Sequence, residues 1–281
     1  MPIITLTTDF GTKDHSAAAV KGAIYSELPE ANIVDITHEV PPFHIQEGAY
    51  IIKNAYKNFP KGSIHIIGIE SEATPENKHI AVLLDGHYFI CADNGIISLI
   101  TSEFNPEKSV EIVLPDTVIN NFPELSVFAR VACHLLRGGT LEVIGKPLRE
   151  TKKLTGTSPM SNQGGNQIIG SVIYIDNYGN VITNISQNYF EKIQKGRKFT
   201  ITARRVTFNT IYKRYSDAIN FTVEKMKREE DGKQIALFNS CGYLELAIYK
   251  SNPETYGAAN TLFGLKYRDT INVTFEEDSF N

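Results

Sequence analysis

Acidic and amide side chains in this chain recur directly after apolar runs, and that placement gives them chemical meaning. Thr7-Thr8-Asp9-Phe10-Gly11-Thr12-Lys13-Asp14 follows Ile3-Ile4-Thr5-Leu6. Such a run predicts a buried strand, and open α/β sheets gather their ligand groups at the carboxyl ends of strands. Gly11 permits the sharp reversal. A carboxylate such as Asp9 can accept from both hydroxyls of a ribose diol. Equally, Asp9 or Asp14 can cap the helix that follows. Glu70 succeeds the most apolar stretch, residues 63–69, and opens an acidic loop containing Asn77 and Lys78. Asp93-Asn94-Gly95 sits at another strand end. Later, Asp176-Asn177-Tyr178-Gly179-Asn180 and Asn239-Ser240-Cys241-Gly242 also follow apolar runs. Asp, Asn and Gly are what hairpin turns demand. An aspartate can also hold an ammonium, and an Asn amide offers the paired donor and acceptor that a purine edge needs.

The elements that must position these groups divide the chain. Over residues 1–100, strands alternate with helices. Helices are expected from about His15 to Leu28, before Pro29, and from Ile45 to Tyr56 at a 3.6-residue period. Residues 40–44 contain Pro41 and Pro42 and cannot be helical, so Phe43 is presented from a stiff loop. Asp85-Gly86 marks a hairpin between two short strands. A further helix is expected over residues 123–137, with proline in its first turn and Gly138-Gly139 after its end. His134, alone inside it, reads as structural. This pattern predicts an α/β domain over residues 1–155 with a mostly parallel sheet. Residues 151–168 turn polar and glycine-rich, as a linker would. Short strands separated by turns follow, with one helix-like piece at 187–195. They predict a smaller β-barrel domain over 166–281.

Composition excludes several classes. The 281 residues are 42% hydrophobic and 21% charged, with a formal net charge of -4. That argues against a general nucleic-acid binder. The basic stretch 192–214 is interrupted by Phe199, Ile201, Val206 and Phe208, so it reads as a solvated sheet face. Three cysteines (Cys91, Cys133 and Cys241) lack metal-site spacing and do not make a disulfide framework. No apolar run reaches the ~18 residues of a membrane span. A soluble cytoplasmic protein with no metal is expected.

Taken together, the motifs carry a resemblance. Asp9-Phe10-Gly11 with Asp14 and Ser16, Pro42-Phe43 with Glu47-Gly48-Ala49, Asp93-Asn94-Gly95, Asp176 with Gly179-Asn180 and Thr183-Asn184-Ile185, and Gly242-Tyr243-Leu244 occur in that order. The series resembles the S-adenosylmethionine hydroxide adenosyltransferases, the family that also holds the fluorinase and chlorinase, along nearly the whole chain. The resemblance implies a homotrimer with S-adenosylmethionine between the first domain of one subunit and the second domain of its neighbour. It implies no cofactor beyond that substrate or ligand. By position, Asp9 would hold the ribose diol and Phe43 would pack against the sugar. Tyr178 would stack near the adenine and Asn180 would read its edge. Asp176 and Ser240 would take the methionine ammonium and carboxylate. In hydrolytic members water displaces methionine and releases adenosine.

The departures from the pattern fall on the nucleophile. Hydrolytic members carry an Asp, an Arg and a His where this chain has Glu70, Asn77 and Pro123. Glu70 keeps a carboxylate, Lys78 stands beside Asn77 as a replacement charge, and Pro123 can do no acid–base work. A halogenase is not expected, because Ala73 and Glu124 fall at the halide-binding places and a carboxylate repels an anion. Two readings follow: an S-adenosylmethionine hydrolase using Glu70, Asn77 and Lys78, or a catalytically silent nucleoside-binding or sensing protein.

Overall fold

Ile4, Leu6, Ile64, Ile66 and Ile90 are fully buried on one face of a sheet, while Ile67, Ile69, Ile80, Val82 and Phe89 are buried on the other. A sheet covered on both faces needs near-continuous apolar strands, which is what these segments supply. The computed structural model describes residues 3–101, 105–115, 121–156, 158–230 and 232–276. The chain divides into two compact units, Met1–Gly156 and Thr157–Asn281.

The first unit contains strands β1 (Ile4–Thr8), β2 (Ile33–Thr37), β3 (Ile64–Gly68), β4 (His79–Leu84), β5 (His87–Ala92), β6 (Lys108–Ile112) and β7 (Gly145–Pro147). Its helices are α1 (Ser16–Glu27), α2 (Ile45–Ala55), α3 (Ile96–Ile100), α4 (Ala129–Leu136) and α5 (Leu141–Ile144). Residues of α1 and α4 cover one face and those of α2 and α3 the other. The strand order is β2-β1-β3-β5-β4-β6-β7. Only the β2-β1-β3-β5 half is parallel; β5-β4-β6-β7 is antiparallel. The expected mostly parallel sheet is therefore a mixed one. Asp85 (φ 49°) and Gly86 (φ 68°) make a left-handed two-residue turn that folds β4 back on β5. Strands β6 and β7 then extend that edge. Between β1 and β3 the chain changes direction along the sheet, the place where open α/β sheets gather ligand groups outside the carboxyl ends of their strands.

The second unit contains β8 (Met160–Ser161), β9 (Gln167–Ile175), β10 (Val181–Ser186), β11 (Phe199–Ala203), β12 (Val206–Phe208), β13 (Gln234–Phe238), β14 (Tyr243–Ile248) and β15 (Thr270–Phe275), with α6 (Gln187–Gln194) and α7 (Ala259–Leu262). The sheet order is β12-β11-β15-β9-β10-β14-β13, all antiparallel, with β8 on β9. The edge strands β12 and β13 approach each other, so the sheet is nearly closed and barrel-like. Ile168, Val172, Val181, Ile201, Leu246 and Val273 fill its interior.

Candidate functional site

The turn after β1 places Asp9 at the change of direction. Its N–H donates to the Gly68 carbonyl at 3.3 Å. Its carboxylate accepts the Phe43 N–H at 2.8 Å. Asp9 thus does not cap α1, whose N-cap residue His15 makes no side-chain cap bond. Burial raises the Asp9 pKa above the ordinary aspartate value, and the Phe43 bond opposes that rise. Phe43 has φ 62°, in the left-handed region, and its side chain is 72% exposed. Left-handed backbone costs a non-glycine residue about 1–2 kcal/mol. The bond to Asp9 and the His44 cap of α2, which accepts from Glu47 N–H, hold it there. An exposed aromatic is thereby presented beside a half-buried carboxylate.

The residues expected to activate water are dispersed. Glu70, at φ 45°, carries an exposed side chain on the turn leaving β3. Buried Asn94 fixes that turn by donating to the carbonyls of Ile69 (2.9 Å) and Glu70 (3.3 Å). The Asn77 side-chain oxygen accepts from Lys152 Nζ at 3.0 Å. Lys78 instead pairs with Glu111 on β6 at 2.7 Å, so the cation beside Asn77 is Lys152. Pro123 is buried and leads into a π turn, Glu124–Phe128, which runs on into α4. His134 bonds the Thr140 carbonyl at 3.2 Å, the structural role its isolation suggested.

That π turn delivers a group the sequence reasoning did not credit with acid–base chemistry. Glu124 is 2% exposed. Ser71 Oγ donates to its Oε1. A Cβ on Gly68 would lie 2.8 Å from both Cγ and Oε1 of Glu124, so the glycine ending β3 makes room for this carboxyl. Burial raises its pKa first of all; the Ser71 bond lowers it and the Asp9 charge raises it. The Ser71 carbonyl is held by His79 Nε2 at 2.9 Å, which therefore carries the proton. Glu124 also shares a helical face with Val127, Phe128 and Val131, all buried. A carboxyl at that period from an apolar stripe was the available signal.

In the second unit, Asp176 organises its own turn. Its Oδ1 accepts from the N–H groups of Tyr178 (2.9 Å) and Asn180 (2.8 Å), and its Oδ2 from Asn180 Nδ2 (3.0 Å). Tyr178 is 67% exposed and Asn180 is buried. Gly179, at φ 73°, packs so closely that a Cβ would lie 2.3 Å from Ala258 Cβ. Ser240 is exposed on the turn between β13 and β14. Val181 pairs with Leu246 and Ser186 with Tyr243, so the Asp176 and Ser240 turns lie toward opposite ends of the β10–β14 pairing. Between them stands Glu245, opposite Ile182. Its buried carboxyl accepts from Tyr215 Oη at 2.5 Å and bonds Asn239. Burial first, and the Asp176 charge with it, raise the Glu245 pKa, while the Tyr215 bond lowers it. Sequence reasoning missed Glu245 because it lies inside a strand, away from any turn. Two grooves of this unit, about 430 and 650 Å³, follow β12, β13 and α6 rather than these turns.

Among the described residues, no helix is long and apolar enough to cross a membrane, and no His, Cys, Asp and Glu group is arranged to hold a metal ion. Residues 4–145 match the family model "SAM hydroxide adenosyltransferase N-terminal domain" and residues 170–272 the corresponding C-terminal domain. An (R)-S-adenosyl-L-methionine hydrolase of Methanocaldococcus jannaschii is 29% identical, the match covering 98% of this chain and 97% of that protein. A fluorinase of Nocardia brasiliensis is 26% identical, over 88% and 90%. The crystal structure of an uncharacterized conserved protein from Thermotoga maritima superposes with a TM-score of 0.82 at 26% identity, over 97% of this chain and 100% of that one.

Proposed function

The chain belongs to the SAM hydroxide adenosyltransferase family, and from that premise we propose that it hydrolyses S-adenosyl-L-methionine to adenosine and L-methionine. The observation that carries this reading is the Asp9–Phe43 arm at the change of strand direction, in a chain similar from end to end to a named hydrolase. Water attacks the carbon bound to sulfonium; a C–O bond forms, the C–S bond breaks, and its electron pair leaves on a neutral thioether. Sulfonium is a good leaving group, so the protein's work is to orient the reactants and exclude bulk water.

In this reading Asp9 accepts from the ribose hydroxyls and Phe43 packs on the sugar. Tyr178 stacks by the adenine, Asn180 reads its edge, and Asp176 meets the methionine ammonium. Because Asp9 and Asp176 belong to different units, the proposal includes a cytoplasmic homotrimer with each ligand held between neighbours. The pairing of Lys78 with Glu111 and the presence of Pro123 favour a second reading, a nucleoside-binding protein without turnover.

Incubating the purified protein with S-adenosyl-L-methionine separates the two. Equal amounts of adenosine and methionine are expected. Saturable binding without products selects the silent protein, and absence of binding removes the site altogether. Light scattering tests the trimer. Co-assembled Asp9→Ala and Asp176→Ala chains should recover some intact sites, whereas none would recover if both residues served one subunit's pocket.

A further inference from the structure

We propose that Glu124, positioned by Ser71, is the group that takes the proton from the attacking water, in place of the exposed Glu70. The proposal rests on the hydrolase reading. A general base works best where bulk water is excluded and its carboxylate is aimed by a fixed partner. Glu70 meets neither condition: its side chain is exposed on a left-handed turn. Glu124 meets both. It is 2% exposed, accepts from Ser71 Oγ, and rests on Gly68, where no side chain intervenes. Its support is layered, since His79 donates to the Ser71 carbonyl at 2.9 Å and packs edge-on against Phe128, one turn beyond Glu124.

The π turn is part of this placement. The Ala129 N–H reaches back to the Glu124 carbonyl, a wider loop than an α turn, and such turns recur at functional sites. The groups facing the carboxyl are Asp9 from the turn after β1 and, behind Ser71, the ring of His79. Both burial and Asp9 hold proton affinity above the ordinary glutamate value, as a proton acceptor requires. An incoming sulfonium would then favour the ionised form. In the step itself, water oxygen bonds to carbon, the sulfur keeps the C–S electron pair, and the water proton passes to Glu124. Products are adenosine, methionine and one proton released on reset.

The test compares wild type, Glu124→Gln, Glu124→Asp, Ser71→Ala and Glu70→Gln for adenosine release against pH and for adenosine affinity. Glu124→Gln should slow turnover by about 10²–10⁴-fold. It should keep adenosine affinity within about threefold and abolish the acid limb of the rate profile. Glu124→Asp should retain that limb at reduced rate. Ser71→Ala should move its midpoint upward, because Ser71 stabilises the ionised carboxylate. Turnover of Glu124→Gln at the wild-type rate, or loss of the limb in Glu70→Gln with Glu124→Gln unaffected, would overturn the assignment. Should wild type release no adenosine, hydrolysis fails as a function. Proton release on binding S-adenosyl-L-methionine, measured by calorimetry in two buffers, still reads Glu124. Release in wild type and none in Glu124→Gln supports its place beside the sulfonium; equal release in both contradicts it.

Discussion

At the amino end of the first sheet, Thr5 Oγ1, His65 and His87 form a buried chain with contacts of 2.7 and 3.2 Å, walled by Tyr56 and Phe89. At the carboxyl end, Asp9, Ser71 and Glu124 are buried or half-buried beside two residues in left-handed conformation, Phe43 and Glu70. Burial acts on both ends by the same rule, disfavouring charge. It lowers the His65 pKa to about 3, helped by His87, and raises those of Asp9 and Glu124. The outcomes differ. The imidazoles become neutral and are used up in packing against one another, whereas the raised carboxyls hold their protons more tightly than free side chains would. Two of the left-handed non-glycine residues of this unit, Phe43 and Glu70, lie at the carboxyl end, and the third, Asp85, belongs to the hairpin turn at the amino end. One end is scaffold and the other is chemistry.

The largest effect should come from driving the two ends apart with pH. The folded His65 lies below its unfolded value of 6.5, so its contribution is full above about pH 6.5 and is lost as pH falls toward 3. Over that window the change is on the order of 5 kcal/mol. Glu124 has the opposite sign: its contribution is full below the unfolded value of 4.5 and is lost as pH rises through the raised folded value. Urea midpoints against pH should therefore show His65→Phe with a flatter acid side. Its stability at neutral pH should fall by about 1–3 kcal/mol, because Thr5 and His87 lose a partner. Adenosine affinity should not change. Glu124→Gln should instead flatten the profile where pH rises above the unfolded value of 4.5. An acid side as steep in His65→Phe as in wild type would break the comparison.

Next in size is Asp9→Ala. Losing bonds to a charged group costs about 1.5–3 kcal/mol, so calorimetry should show adenosine bound roughly 10- to 150-fold more weakly. Phe43 should move too, since its N–H loses the carboxylate. Unaltered affinity would place the ribose elsewhere. The smallest effect sharpens the strain argument. Phe43→Gly should stabilise the first unit by about 0.5–1 kcal/mol by relieving the left-handed backbone, while weakening adenosine. Stability lost rather than gained would mean that the exposed ring packs productively without ligand.

Much of this architecture was legible because local signals agreed. Apolar runs ended in Asp9, Glu70 and Asp93, and the structure sets these at the carboxyl ends of β1, β3 and β5. Asp85-Gly86 marks the hairpin in the sequence, and that hairpin turns the second half of the sheet antiparallel. Strands β6, β7 and β8 carry no sequence signal of their own because they are short edge or near-edge pieces whose pairing comes from neighbours. The position of Lys78 was missed for a related reason, as Glu111 lies thirty-three residues away on β6. In the sequence Glu124 shows only a charge that would repel halide. Its partnership with Ser71 and Gly68, fifty-three and fifty-six residues distant, exists only once β3 and the π turn are side by side. Likewise Ser240 and Asp176 suggested one binding cluster in sequence, but the antiparallel register separates their turns and puts Glu245 between them.

The most direct measurement of the central claim is the fate of oxygen. Wild-type protein turning over S-adenosyl-L-methionine in ¹⁸O-water should give adenosine labelled at the 5′ oxygen and unlabelled methionine, as displacement at the carbon bound to sulfonium requires. Free adenine, unlabelled adenosine, or bound S-adenosyl-L-methionine recovered intact would contradict it.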